Sequence, residues 1–404
     1  MDPDRFQAPE FGTPKRSPGK GGFWSFHPAP MPRKLRLGPD TVLALSEADA
    51  ALGRLAGAGR LLPDAGVLVG PYMTREALAS SRIEGTQASL SEVFQANASG
   101  EARPGTDVRE VQNYLAAMRQ GLERLSELPI CMRLLREIHA VLLSDVRGGE
   151  RNPGELRASP NWIGSPDDRP DTALFVPPAE HEVLMDALAD WEDFVNDEAP
   201  ELPTLIRCGL LHYQFETIHP FLDGNGRLGR LLIVFFLVHE QRLPQPLLYV
   251  SNYFERHRQS YYDGLQLVRE RGQIENWLRF FLTAVASEAN DALERVERLC
   301  DLRERYRAEL VTDRSRATEV IDVMLSNPVL TVKLVIERLG NSRSITHQGA
   351  LNLIRKLERR GWLSDFGTFG QGGRHYWICR EVMEVVESAF VPAARTPLRE
   401  STRS

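Results

Sequence analysis

Residues 219 to 230 read His-Pro-Phe-Leu-Asp-Gly-Asn-Gly-Arg-Leu-Gly-Arg, and they bring several chemically distinct side chains into one short stretch. His219 carries the side chain whose ordinary pKa suits general-base work near neutrality. Asp223 offers a hard carboxylate of the kind magnesium takes, one or two at a time, alongside phosphate oxygens. The apolar run from Leu231 to Val238 reads as a buried helix. Gly224, Asn225 and Gly226 therefore fall at its N-terminus, where backbone N–H groups are unpaired and the macrodipole favours an anion. Arg227 and Arg230 are three apart and share one helical face, and an arginine fork grips pairs of phosphate oxygens. These are parts for phosphoryl or nucleotidyl transfer. A plain helix cap with surface arginines has no need of His, Asp, Asn and two Arg together. The glycines at 224, 226 and 229 also spell Gly-x-Gly-x-x-Gly, but the preceding 206–215 stretch looks helical rather than β, so a dinucleotide-binding reading fails on context.

The run resembles the signature of the Fic family, His-x-Phe-x-(Asp/Glu)-Gly-Asn-Gly-Arg-x-x-Arg, and matches every specified position. The resemblance implies transfer of AMP from ATP, with Mg2+, onto a Ser, Thr or Tyr hydroxyl of a target protein, self-modification included. Carried onto the matching positions, it makes His219 the base, Asp223 the Mg2+ ligand, and the backbone at Gly224, Asn225 and Gly226 the cradle of the transferring group. Arg227 and Arg230 neutralise the β- and γ-phosphates, while Phe221 belongs to the core. The related Doc toxins, which transfer phosphate, usually carry Lys where this chain has Gly226, so AMP transfer is favoured. A third reading keeps only nucleotide sensing, in a DNA-binding transcriptional regulator.

Several elements must position this loop. Thr41 to Ala58 has a helical apolar period, and a further helix is expected after Pro71. Thr74 can cap a helix running to Glu84, with Gly85 as its stop. By pattern alone that is an ordinary helix end. The family resemblance adds the inhibitory motif (Ser/Thr)-x-x-x-Glu-(Gly/Asn), matched by Ser80, Glu84 and Gly85. It implies a bidentate pair between Glu84 and Arg230 on the site of the γ-phosphate. Asp107 to Leu143 is helical, and His139 within it reads as packed rather than catalytic. Asn161 to Pro178 reads as an exposed β-hairpin; it resembles the Fic flap, which holds a target segment as an added strand. Glu180 to Val195 is an amphipathic helix, and 275 to 310 a long, increasingly charged one. Tyr262, in a tyrosine-dense stretch, is the expected adenine contact, since aromatic rings stack on purines.

The expected fold is mostly α, a Fic-type helical core with a β-hairpin flap and a C-terminal winged helix-turn-helix. A Pro/Gly/basic stretch over 1–30 reads as a flexible arm, 31–120 as an N-terminal helical region with the inhibitory helix at about 74–85, and 121–300 as the catalytic core. Residues 312–390 form the second unit, with helices over 317–325, 331–339 and 344–360, a turn at 340–343 and a wing over 362–378; 391–404 is a tail. Net charge is -6, yet residues 341–380 hold Arg343, Arg355, Lys356, Arg359, Arg360, Arg374 and Arg380 against Glu358 and Asp365 alone. DNA contact through 341–380 is one expectation, with Thr346, His347, Gln348 and Asn352 at base edges and Arg374 on the wing. Protein docking or a homodimer is the other. Four scattered cysteines suggest a reducing compartment and no zinc site. With no membrane-length apolar run and no signal core, a soluble cytoplasmic protein is expected.

Overall fold

A computed structural model of the chain describes residues 1–17, 22–61, 65–101, 103, 105–340, 344–370 and 373–388. The fold is mostly helical, as the apolar periods require. A short hairpin comes first, β1 (Gly12–Arg16) with β2 (Trp24–Pro28), then α1 (Pro39–Leu61), α2 (Ala65–Ile83), α3 (Leu90–Ser99), α4 (Asp107–Arg124), α5 (Met132–Leu142) and α6 (His181–Val195). The central pair is α7 (Thr204–Ile218) and α8 (Asn225–His239); α9 (Ser251–Arg256), α10 (Arg258–Arg271) and the 36-residue α11 (Ile274–Glu309) complete the helical body. α7 is buried on every face from Leu205 on, and α8 nearly so, which marks helices enclosed by others rather than amphipathic ones. Two buried indoles, Trp191 and Trp277, donate to the Leu211 and Gly209 carbonyls at 2.9 Å and fix α6 and α11 against α7.

The expectation of a flexible arm over 1–30 is corrected by β1 and β2, which pair antiparallel from Gly12↔Pro28 to Arg16↔Trp24. Their aromatic side chains supply the reason. Phe6 and Phe26 are buried against Phe175 and Val176, and the Phe26 N–H donates to the Val176 carbonyl at 2.8 Å. Each such aromatic contributes about 1.5–3 kcal/mol on burial, enough to order a short hairpin.

The helix expected to start at Thr74 begins instead at Ala65 and runs through Pro71. Thr74 is no cap: its hydroxyl donates to the Gly70 carbonyl at 3.0 Å, inside the helix. Burial of Val69, Tyr72, Met73, Ala77 and Leu78 outweighs the hydrogen bond the proline lacks. The C-terminal end agrees with the sequence: Gly85 turns away with φ +101°, a conformation that favours glycine.

The hairpin expected over 161–178 contracts to one bridge, Ile163↔Phe175. The connector closes through side chains rather than a ladder: Trp162 Nε1 donates to Asp168 Oδ1 at 2.9 Å and Ser165 Oγ to the Arg169 carbonyl at 2.9 Å.

Beyond α11 come α12 (Ala317–Ser326), β3 (Val329–Leu330), α13 (Val332–Gly340), α14 (His347–Arg359), β4 (Ser364–Phe369), β5 (Arg374–Ile378) and α15 (Arg380–Glu387). The three strands form an antiparallel sheet in the order β3-β5-β4. Arg343, the rest of the 341–343 turn, residues 389–390 and the 391–404 tail lie outside the described residues. This part is docked on the body. Asn327 donates to the Phe94 carbonyl at 3.1 Å, Thr331 to Ala98 at 2.6 Å and Lys333 to Ser99 at 2.9 Å, all on α3. Arg374, expected on nucleic acid, instead pairs with Glu101 at 2.9 Å. Among the described residues no helix is long and apolar enough to cross a membrane.

Candidate active site

The loop between α7 and α8 is held by three side chains, Arg157, Asn225 and His139. α7 ends on His219, whose φ of +50° puts it in the left-handed region, tolerated by few non-glycine residues. Buried Arg157 fixes that ending. Its Nε donates to the His219 carbonyl at 2.8 Å, and its terminal nitrogen donates to Pro178 at 2.6 Å and Ile218 at 3.3 Å. A cation thus satisfies the last carbonyls of α7 while tying the flap end to the loop. The Asn225 side chain closes the turn by accepting from Phe221 N–H at 2.9 Å and donating to Phe221 O at 2.8 Å. His139, buried as expected, stacks on Phe221 at 3.9 Å. Its Nδ1 accepts from Gly154 N–H at 2.8 Å, so Nε2 carries the proton and donates to the Asp223 carbonyl at 2.9 Å. Burial keeps that ring neutral, with its pKa down to about 4.

The loop gathers donors that have no acceptor among the described residues. The N–H groups of Asn225, Gly226 and Arg227 open α8 and meet no acceptor among the described residues. Beside them Arg227 is 2% exposed, 3.4 Å from Asp223 Oδ1 and 3.9 Å from Glu110 Oε2, and its Nε and NH1 are buried without a hydrogen bond. A buried guanidinium left with idle donors is costly unless an anion completes it. The His219 imidazole is neutral: burial, then the charges of Arg157 and Arg269, lower its pKa to about 3. A backbone hydrogen bond with Glu216 offsets only part of that shift. A neutral ring is the form a proton acceptor needs.

Arg230, 1% exposed, is engaged by the C-terminal end of α2 and the residue just past it. Nε donates to Ser80 Oγ at 2.8 Å, and NH2 donates to the Ser80 carbonyl at 2.9 Å and to Glu84 Oε1 at 2.7 Å. The pair with Glu84 is therefore single, not bidentate: one carboxylate oxygen meets NH2, which the Ser80 carbonyl shares. Burial pushes the Glu84 carboxyl up, but Arg230 overcomes it and holds the group below its ordinary range. Burial would likewise lower Arg230, and Glu84 raises it instead. Gly226 makes this contact possible, since a β-carbon there would lie 2.4 Å from Glu84 Oε1. α2 itself is pinned by the buried Glu76, which accepts from Tyr114 Oη at 3.0 Å and Ser251 N–H at 3.1 Å.

Asp223 fits a magnesium ligand. Both its hydrogen bonds fall on Oδ1, leaving Oδ2 without a partner among the described residues, on a side chain 40% exposed. The described residues hold no cluster of three or more metal-ligating side chains. Tyr262 is 40% exposed on α10, with Arg258 5.8 Å from its ring; its partial burial and then the Glu84 charge raise its phenol. Glu216 escaped the sequence reading. It is buried one turn before His219, its Oε1 is unpartnered, and burial lifts its pKa to about 7 despite Arg230. A β-carbon on Gly229 would sit 2.4 Å from that oxygen. Arg157 and Glu216 gave no signal because each reads as an ordinary polar helix or loop residue until the fold buries it.

Residues 42–123 match the family described as Fic/DOC family N-terminal, and residues 129–237 match the Fic/DOC family itself. Protein adenylyltransferase fic-1 of Caenorhabditis briggsae is 29% identical over 218 residues, which is 52% of this chain and 38% of that protein. Protein adenylyltransferase Fic of Culex quinquefasciatus is 32% identical over 152 residues, 37% of this chain and 27% of that protein. The chain thus spans well under half the length of these curated relatives. A Fic family protein from Desulfovibrio desulfuricans shares the fold with TM-score 0.52 and 20% identity, over 85% of this chain and 97% of that one. A Fic domain containing signaling protein from Bacteroides thetaiotaomicron does so with TM-score 0.50 and 20% identity, over 62% of this chain and 95% of that one.

Proposed function

From the match of residues 42–123 and 129–237 to the Fic/DOC family models, we propose that this chain transfers AMP from ATP to a hydroxyl side chain of a protein. One observation carries the reading: the idle buried donors of Arg227 lie beside the three free N–H groups of α8, within the loop that His219 heads. His219 takes the proton of a Ser, Thr or Tyr hydroxyl. That oxygen bonds to the α-phosphorus, the bond to the bridging α–β oxygen breaks, and pyrophosphate leaves with the electron pair. The N–H groups of Asn225, Gly226 and Arg227 hold the transferring phosphoryl oxygens. Arg227 grips the β-phosphate, and Arg230 the γ-phosphate once Glu84 gives it up. Magnesium, held by Asp223 and the nucleotide's own oxygens, would supply countercharge to the leaving pyrophosphate. Tyr262 is available to stack on adenine, and the flap around Ile163 and Phe175 to align the target backbone. Ser80, Glu84 and Gly85 form the inhibitory device. It is supported by Arg230 having every fixed partner on the C-terminal end of α2 and the residue just past it.

Residues 312–390 read as a winged-helix unit, from the succession helix, short strand, two helices and hairpin. Arg355 and Arg359 are exposed and without an ion pair among the described residues, which supports nucleic-acid contact along α14. The four free cysteines fit a reducing compartment such as the cytoplasm. Mass spectrometry of the chain and candidate targets after incubation with ATP and Mg2+ separates the readings. A gain of AMP is expected. A gain of phosphate would mean Doc-like chemistry, and no gain, even with Glu84→Gly, would leave a nucleotide sensor.

A further inference from the structure

Past the end of α5 the chain runs by the nucleotide loop at Arg147 and Gly148. Gly148 has φ +85°, and a β-carbon there would lie 2.6 Å from Asp223 Oδ2. This backbone is therefore pressed against the carboxylate proposed for magnesium. The Arg147 side chain turns to the inhibitory segment. Its NH2 donates to the Glu84 carbonyl at 3.3 Å, and its Nε stands 3.6 Å from Glu110 Oε1. Glu110 is buried in the first turn of α4. Its other oxygen, Oε2, accepts from Thr86 Oγ1 at 2.7 Å and lies 3.9 Å from Arg227 NH1. One buried carboxylate thus has Arg147 at one oxygen and Arg227 at the other, and is the countercharge between them.

The fold holds these two cations differently. Arg227 is enclosed, whereas the Arg147 side chain is 62% exposed. Among the described residues its one hydrogen bond is the contact with Glu84, longer than an N–H···O bond usually is. Its approach to Glu110 is an ion pair without a hydrogen bond, and such a pair with an exposed partner is weak. Arg147 can therefore leave both partners at small cost while its backbone stays beside Asp223. Resting on the AMP-transfer reading, we propose that Arg147 is a third arginine for the nucleotide, binding oxygens of the β- and γ-phosphates alongside Arg227 and Arg230. It already touches the residue whose carboxylate occupies Arg230, and it follows in the chain directly before the glycine that meets Asp223. Its guanidinium offers the forked donors that suit paired phosphate oxygens. Arg147 lies outside the 219–230 run, and only the fold brings it there.

The test is titration calorimetry of the full chain carrying Glu84→Gly and His219→Ala, which opens the Arg230 side of the site and removes the proposed base. ATP and AMP are titrated separately, each with Mg2+. Adding Arg147→Ala should weaken ATP about tenfold and leave AMP unchanged, because AMP has neither a β- nor a γ-phosphate. Thermal melts without ligand check that the variant folds. An unchanged ATP affinity would overturn the assignment and leave Arg147 a brace of the inhibitory segment. Equal losses for ATP and AMP would overturn it too, since they would report a general disturbance of the site. Binding decides this inference, whereas the gain of AMP on protein decides the transfer reading, so the two can fail separately.

Discussion

Residues 219–230 and 341–380 both concentrate arginine, and the fold treats the two sets of charges in opposite ways. In the first, Arg227 and Arg230 are 2% and 1% exposed, Arg227 beside Asp223 and Arg230 on Glu84. In the second, Lys356 goes to Asp313, Arg360 to Glu309 at 3.8 Å and Arg374 to Glu101 at 2.9 Å, each to its own carboxylate in another part of the chain. Arg355 and Arg359 stay exposed and unpaired among the described residues. Buried cations must be completed by something specific, whereas exposed ones are satisfied by water. Arginine density alone therefore overstated the basic face of the C-terminal unit and understated how directed the α8 pair is.

The largest effect should come from the head of the buried set. His219→Ala is expected to cut AMP transfer by about 10²–10⁴-fold, the usual worth of a general base, with ATP binding largely kept. Transfer at the parent rate would remove His219 from the mechanism.

Next in size is release of Arg230. A charge-assisted, part-buried contact is worth about 1.5–3 kcal/mol, so Glu84→Gly should raise initial rates of labelled AMP incorporation about ten- to a hundredfold at subsaturating ATP. Arg230→Ala should abolish transfer in either background, because one guanidinium serves both Glu84 and the γ-phosphate; additive effects would show that they do not share it. Gly226→Ala sharpens the point. Its β-carbon would meet Glu84 Oε1 at 2.4 Å, and since a carboxylate end can shift, a rise of about two- to fivefold is expected.

The exposed set should respond less. Arg355→Glu with Arg359→Glu should weaken low-salt DNA binding by the full chain and flatten its salt slope by about two phosphate contacts; an unchanged slope would assign α14 to protein docking. Smallest of all, Arg374→Ala should cost about 1 kcal/mol or less in denaturant unfolding, as an exposed pair does.

Much of the site was legible because its chemistry lies within a single run of chain. A run of twelve residues that passes from a loop into a helix fixes its own N–H groups, so Gly224 to Arg227 could be placed from spacing alone. The helices of the body were legible from their apolar period. The errors fell where long-range burial overrode local signals. Pro71 was expected to begin a helix, and packing of Tyr72 and Met73 carried α2 straight through it. Phe6 and Phe26 sat in a stretch polar enough to read as loose, until Phe175 gave them a surface.

By itself, then, the sequence determined the loop, its donors, the placing of the proposed base and the motif at the end of α2, since each depends on residues a few positions apart. Only the tertiary structure decided the rest. It set Ser80 and Glu84 against Arg230 across about 150 positions of chain, let Gly226 admit that carboxylate, and made Arg157 the brace of His219. It also buried Glu216 with an idle oxygen. These outcomes depend on which side chains lose water together, and that is a property of packing between distant segments rather than of any local pattern.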